Sequence, residues 1–117
     1  MTDLTDLADE VHQKNLTWWH DPVTGKPLAR NKGELLMLIV SEIAECMEGE
    51  RAQKRDEHLP QFSNAEVELA DALIRIFDYA GAFGYDIEGA FRAKLAYNAK
   101  RLDHQPDERL KEGGKKW

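Results

Sequence analysis

The sequence has too little of several things to build whole classes of protein. It contains one cysteine, Cys46, so no intramolecular disulfide and no Cys-x-x-Cys zinc or redox pair can form, and a reducing cytoplasm is the expected home. No apolar run approaches the roughly 20 residues that a membrane-crossing helix needs. The longest, Leu35 to Val40, suits the core of a helix. The opening Met-Thr-Asp-Leu-Thr-Asp is acidic and lacks a hydrophobic stretch, so no secretory signal is expected. Cations are in deficit, with 16 Lys and Arg against 22 Asp and Glu, a net charge of -6. That balance argues against a general binder of duplex nucleic acid, whose affinity comes largely from Lys and Arg at phosphates. Period-two alternation is almost missing, so strands are not expected. There is no internal repeat and no low-complexity segment.

Helical periodicity is what the chain does have. At 117 residues it has the length of one domain. Leu4, Leu7, Ala8 and Val11 recur at three and four, predicting a first helix over about 2–16. Trp18, Trp19, Asp-Pro and Thr-Gly mark 17–31 as a loop. Asn31 is placed to cap a second helix that carries Leu35, Leu38, Ile39, Ile43 and Met47 to about Arg55. Ser63-Asn-Ala-Glu66 has the form of a capping box for a third helix ending near Phe83. Asp86 caps a fourth, which ends near Leu102, and Pro106 discourages continuation. The expected architecture is all-α and four-helix-bundle-like, with a helical domain over 1–105 and a basic tail over 106–117. So small a core would be completed by a second subunit.

Two acidic pairs carry the functional argument, Glu42-Ile-Ala-Glu45 and Glu68-Leu-Ala-Asp71. Residues three apart on a helix lie about 60° apart around the axis, so each pair points one way. Spacing alone says little, because about four such pairs are expected by chance in so acidic a chain; Asp3 and Asp6 form another. Context separates them. Glu42 falls on the arc of Leu35, Leu38, Ile39 and Cys46, and interrupts an apolar face. Asp71 lies beside Val67 and Ile74. Carboxylates at the rim of a core are costly unless cations compensate. Those cations can be side chains, Arg51, Lys54 or Arg75, in ordinary ion pairs, or a metal. Four oxygen donors with no histidine suit Mg²⁺, or Mn²⁺, rather than Zn²⁺. A di-iron bundle would want Glu-x-x-His twice, and the nearest approach is Asp9-Glu-Val-His12. Asp78 lies two turns beyond Asp71, as an outer partner of the acidic set or, more simply, a surface pair for Arg75.

The run Asn31-Lys-Gly-Glu-Leu-Leu-Met-Leu-Ile-Val-Ser-Glu-Ile-Ala-Glu45, followed after residues 46–67 by Glu68-Leu-Ala-Asp71, resembles the MazG-like all-α nucleoside triphosphate pyrophosphohydrolases. Lys94-Leu-Ala-Tyr-Asn98-Ala-Lys-Arg101 and Gly113-Gly-Lys-Lys116 extend the resemblance to about residues 10–116. The intervening His104 to Glu112 departs from it, so the resemblance does not assign a phosphate role to Lys115 and Lys116. The resemblance implies a MazG-type fold completed by a partner chain, as a homodimer or a tetramer of dimers. It implies Mg²⁺-dependent hydrolysis of a nucleoside triphosphate to the monophosphate and pyrophosphate, in a role such as clearing noncanonical or excess nucleotides. Glu42, Glu45, Glu68 and Asp71 become metal ligands, with Glu42 or Glu45 also orienting or deprotonating the attacking water. Lys94, Asn98 and Arg101, at spacings of four and three, become contacts to phosphate or sugar, with Lys54 a further phosphate candidate. Trp18 or Trp19 would stack on a base, or both would plug the bundle end or a subunit interface. Asn31 would meet a base edge or simply cap its helix. Tyr97 and Cys46 read as core residues, and His12 and His20 as ordinary polar ones. The alternative to an enzyme is a non-catalytic helical module that binds nucleotide or protein.

Overall fold

In the computed structural model, which describes residues 2–101, 106–110 and 113, helices account for nearly all regular structure. They are α1 (Leu4–Lys14), α2 (Lys32–Ala52), α3 (Asn64–Ala82), α4 (Ile87–Lys100) and α5 (Pro106–Leu110), with a 3-10 turn at Leu16–Trp19. Among the described residues there is no strand, only the isolated bridges His20–Pro27 and Arg55–Ser63. The chain forms two compact units, Met1–Tyr85 and Asp86–Trp117. Among the described residues, no helix is long and apolar enough to cross a membrane.

Side-chain caps set where the helices begin. Asp3, Asn31, Ser63 and Asp86 each accept a backbone N–H three residues on, from Asp6, Glu34, Glu66 and Gly89. The expected Ser63/Glu66 capping box is present. So is a second one, Asp3/Asp6, which accounts for an acidic pair that spacing alone left unexplained. The segment read as a plain loop holds a small closed turn. Asp21 N–H donates to Lys26 O, Gly25 N–H to Asp21 O, and Leu28 N–H to Trp19 O. The Asp21 carboxylate accepts from Val23 and Thr24 N–H, and those bonds hold its pKa below the ordinary value. Helix α4 ends at Lys100, short of Pro106, which opens α5, where its missing N–H costs nothing. Half of the expected basic tail, Lys111, Lys115 and Lys116 included, lies outside the described residues.

In the first unit α3 packs against both α1 and α2. Small residues allow the close approach. The buried apolar residues are Ala8, Ala65, Ala72 and Ala80. A Cβ on Gly81 would lie 2.5 Å from Ala8 O and 2.8 Å from His12 Cβ, so α1 can reach α3 here only against a residue without a side chain. At the far end of α2, a Cβ on Gly49 would lie 2.5 Å from Asn64 Oδ1. The inner face of α2 runs through half-buried Leu35, Leu38, Ile39 and Cys46, with Glu42 and Gly49 buried among them. Its other apolar residues, Leu36, Val40, Ile43 and Met47, recur at four, three and four and stay about half exposed, as do Leu69 and Leu73 of α3.

Candidate functional site

The seam between α2 and α3 collects the acids that the spacing picked out. One oxygen from each of Glu42, Glu68 and Asp71 lies within 4.8 Å of the others. No histidine or cysteine of the described residues joins that group. Glu42 is buried, Glu68 and Asp71 are half-buried, and Glu45 is exposed. Glu45 stands one turn beyond Glu42 and is close enough to Glu68 to push its proton affinity up.

Glu68 is the least satisfied member. Asn64 Nδ2 donates weakly to its Oε1 at 3.4 Å. Its Oε2 is sealed from solvent and has no hydrogen-bond partner. Burial and then the Glu45, Glu42 and Asp71 carboxylates raise its pKa from 4.5 to about 7. Asp71 is raised as well, chiefly by burial and then by Glu42, with Arg75 opposing. Asp56 shows the contrast. Burial works against its charge, but His58 N–H, Leu59 N–H and Asn64 Nδ2 donate to it at 3.1, 2.9 and 3.2 Å. The donors prevail and its pKa falls. Asn64 thus ties a satisfied carboxylate to an unsatisfied one.

Of the three cations considered for ordinary pairing, Arg75 is the one that reaches the cluster. Its Nε donates to Glu42 Oε1 at 3.0 Å. Arg51 pairs instead with Glu48. Lys54 lines a cavity of about 280 Å³ with Glu45, Glu48, Asn64 and Glu68. A larger cavity of about 440 Å³ opens on the other side, lined by Trp18, Arg30, Glu42, Asp71, Arg75 and Asp78 among others. Its size is within the usual range of small-molecule sites, roughly 300–1,000 Å³.

Asp78 corrects a sequence expectation. It does not pair with Arg75. Its carboxylate takes His12 Nδ1 at 2.8 Å and Trp19 Nε1 at 3.1 Å. The partners lie 66 and 59 residues away, beyond the reach of any local pattern. His12 therefore has a defined role, and the available signal is its place one turn after Ala8 and two after Leu4 on the inner stripe of α1. Trp19 is packed edge-on between His12 and Phe83, with centroids at 5.3 and 5.8 Å. Its indole is thus engaged by His12, Phe83, Asp78 and Arg30. Trp18, by contrast, is 71% exposed at the rim of the larger cavity. Asn31 caps α2, accepting Glu34 N–H at 3.0 Å.

The remaining expected contacts belong to the second unit. Lys94 and Arg101 both place their cations over the Tyr97 ring, at 4.8 and 5.8 Å. Tyr97 is 59% exposed and is not a core residue. Arg101 ends α4 in an extended conformation. Asn98 is half-buried, and its Oδ1 is shielded without a partner among the described residues.

Comparison with family models, curated proteins and solved structures finds no match to this chain.

Proposed function

We propose that this chain is a Mg²⁺-dependent nucleoside triphosphate pyrophosphohydrolase of the MazG-like kind, releasing the monophosphate and pyrophosphate. The observation that carries the reading is the under-satisfied carboxylate seam. Three acids from two helices bring oxygens within 4.8 Å, and Glu68 Oε2 is shielded from water with other carboxylates, not donors, as its near neighbours. A buried acceptor left this way is expensive to keep and marks a site that awaits a partner. The donor set fits a hard divalent cation, since it is all carboxylate oxygen.

Glu42, Glu45, Glu68 and Asp71 would hold the ion. When bound, Mg²⁺ neutralises phosphate oxygens and makes a coordinated water more acidic. The rest falls to the chain. Glu42 or Glu45 orients the attacking water and accepts its proton. The larger cavity takes the nucleotide, with Trp18 free to stack on the base, and Lys54 serves phosphate from the smaller one. The exposed stripe of Leu36, Val40, Ile43 and Met47 is the surface on which a second copy would complete the core, giving a homodimer or a tetramer of dimers. Half-buried Cys46 suits a reducing cytoplasm.

Pyrophosphate release from a panel of ordinary and modified nucleoside triphosphates, with and without Mg²⁺, tests the reading. We expect release with Mg²⁺ only. Glu42→Gln and Asp71→Asn should each lower turnover by at least about 100-fold with the helical circular dichroism intact. Full turnover in both variants refutes the assignment, and no release from any substrate refutes the enzyme.

A further inference from the structure

Glu42 is nine-tenths buried, yet it owes its neutralisation to a side chain that is 42% exposed. The bond runs through Arg75 Nε alone at 3.0 Å, and a guanidinium carries further N–H donors in the same plane. Arg75 stands one turn after Asp71 and lines the same cavity as Glu42, Asp71 and Arg30. The two guanidinium groups of that cavity are held differently. Arg30 is fixed to the frame, with Nη1 donating to the Trp18 carbonyl at 2.9 Å and its head 5.4 Å from the Trp19 ring centre. Among the described residues, the hydrogen bond of Arg75 goes to a carboxylate that is itself a cation ligand under the reading above, with Asp71 also close enough to feel its charge.

We propose that Arg75 is an exchangeable counter-ion, which gives up Glu42 to a divalent cation and then binds the polyphosphate of the substrate or the pyrophosphate product. The proposal rests on the cation site of the preceding section. A doubly charged ion outcompetes a singly charged one for the same buried oxygen. Once released, the guanidinium is still in the cavity, where its planar fork matches phosphate oxygens two at a time. The move needs only rotation of a long side chain with solvent access. Its consequence is coupling: the cation frees the group that holds the anion, and the anion draws that group from the cation's ligand. Each must then tighten the other by the same factor.

Calorimetry on the full chain, with Mn²⁺ and inorganic pyrophosphate as probes, reads this out without turnover. Arg75→Gln should bind Mn²⁺ alone several-fold more tightly, and its Mn²⁺-loaded form should bind pyrophosphate about tenfold more weakly, a typical coupling. Arg75→Lys keeps the charge without the planar fork, and should restore the Mn²⁺ affinity but not the pyrophosphate affinity. A merely structural arginine would weaken both ligands together. Unchanged or weaker Mn²⁺ binding by Arg75→Gln overturns the exchange, as does unaltered pyrophosphate binding. In the wild-type chain, the Arg75 Nε–H resonance should shift on adding Mg²⁺ and again on adding pyrophosphate. An Nε–H signal that stays put while Mg²⁺ binds overturns the proposal whether or not the variants fold. Wild-type protein that takes up neither ion, even with pyrophosphate, defeats the cation site itself.

Discussion

Helix α3 faces two seams, and each receives acids from it on opposite terms. Toward α1, Asp78 accepts from His12 and from the Trp19 indole at 2.8 and 3.1 Å, and the rings around it interlock edge to face. Toward α2, Glu68 keeps an oxygen that nothing contacts by hydrogen bond, among three other carboxylates that raise its proton affinity. The first acid is built into the fold. The second is tolerated by it. A carboxylate saturated with donors has no capacity left for a ligand, whereas one crowded by its own kind gains from any cation that arrives. Burial alone would not separate the two, since both are largely shielded.

The comparison breaks first at Asp78. Replacing it with Ala leaves the Trp19 N–H and His12 without an acceptor at a mostly buried position, which should cost about 2–3 kcal/mol. For a chain of this size that lowers Tm by about 10 °C. A thermal melt showing a shift within about 2 °C would mean that this seam is no more structural than the other. Gly81→Ala tests the same seam without touching a charge. The new methyl would lie 2.5 Å from Ala8 O, and forcing α1 outward should cost roughly 1–3 kcal/mol. If the seams are independent, Mn²⁺ affinity measured by calorimetry should stay within about twofold of wild type. A larger change would show that α1 sets the geometry of the carboxylates.

How much of this was legible beforehand follows the range of each interaction. Caps are local, so Asn31, Ser63 and Asp86 could be read from their neighbours, and all three do cap. Glu42 announced itself by interrupting an apolar arc, and it is buried on that arc. The pairing of Arg75 with Glu42, rather than with Asp78 one turn away, depends on which seam each residue of α3 faces. Periodicity within one helix cannot supply that, because it needs the positions of two others. The contact of His12 with Asp78 is beyond a local pattern for the same reason. Tyr97, expected beside the Lys94/Arg101 face or in the core, lies at the surface with two cations over its ring. The half-exposed stripe on α2 is as apolar as the inner one, and only packing shows that α3 covers the other side.

The smallest expected effect is the most specific. Glu68 binds its proton more tightly in the folded chain, with a pKa of about 7 against an ordinary 4.5. The folded state is therefore favoured by this group below about pH 4.5, and that contribution is lost as pH rises through about 7. Asp71, shifted upward too, adds to the same slope. Asp56 and Glu66, shifted downward by their hydrogen bonds, contribute stability that disappears only as pH falls below the ordinary carboxylate range. Without divalent ions, Tm should then peak near pH 5 and decline toward pH 8, by less than the Asp78→Ala loss. Glu68→Gln cannot ionise, so it should flatten that decline and melt slightly above wild type at pH 8. Added Mg²⁺ should stabilise wild type at pH 8, since a ligand of the native state alone raises its stability. The gain should fade below pH 7 as protons take the same oxygens, and Glu68→Gln should lose most of it. A wild-type Tm that instead rises steadily from pH 5 to pH 8 without divalent ions would place Glu68 among the satisfied acids and erase the difference between the two seams.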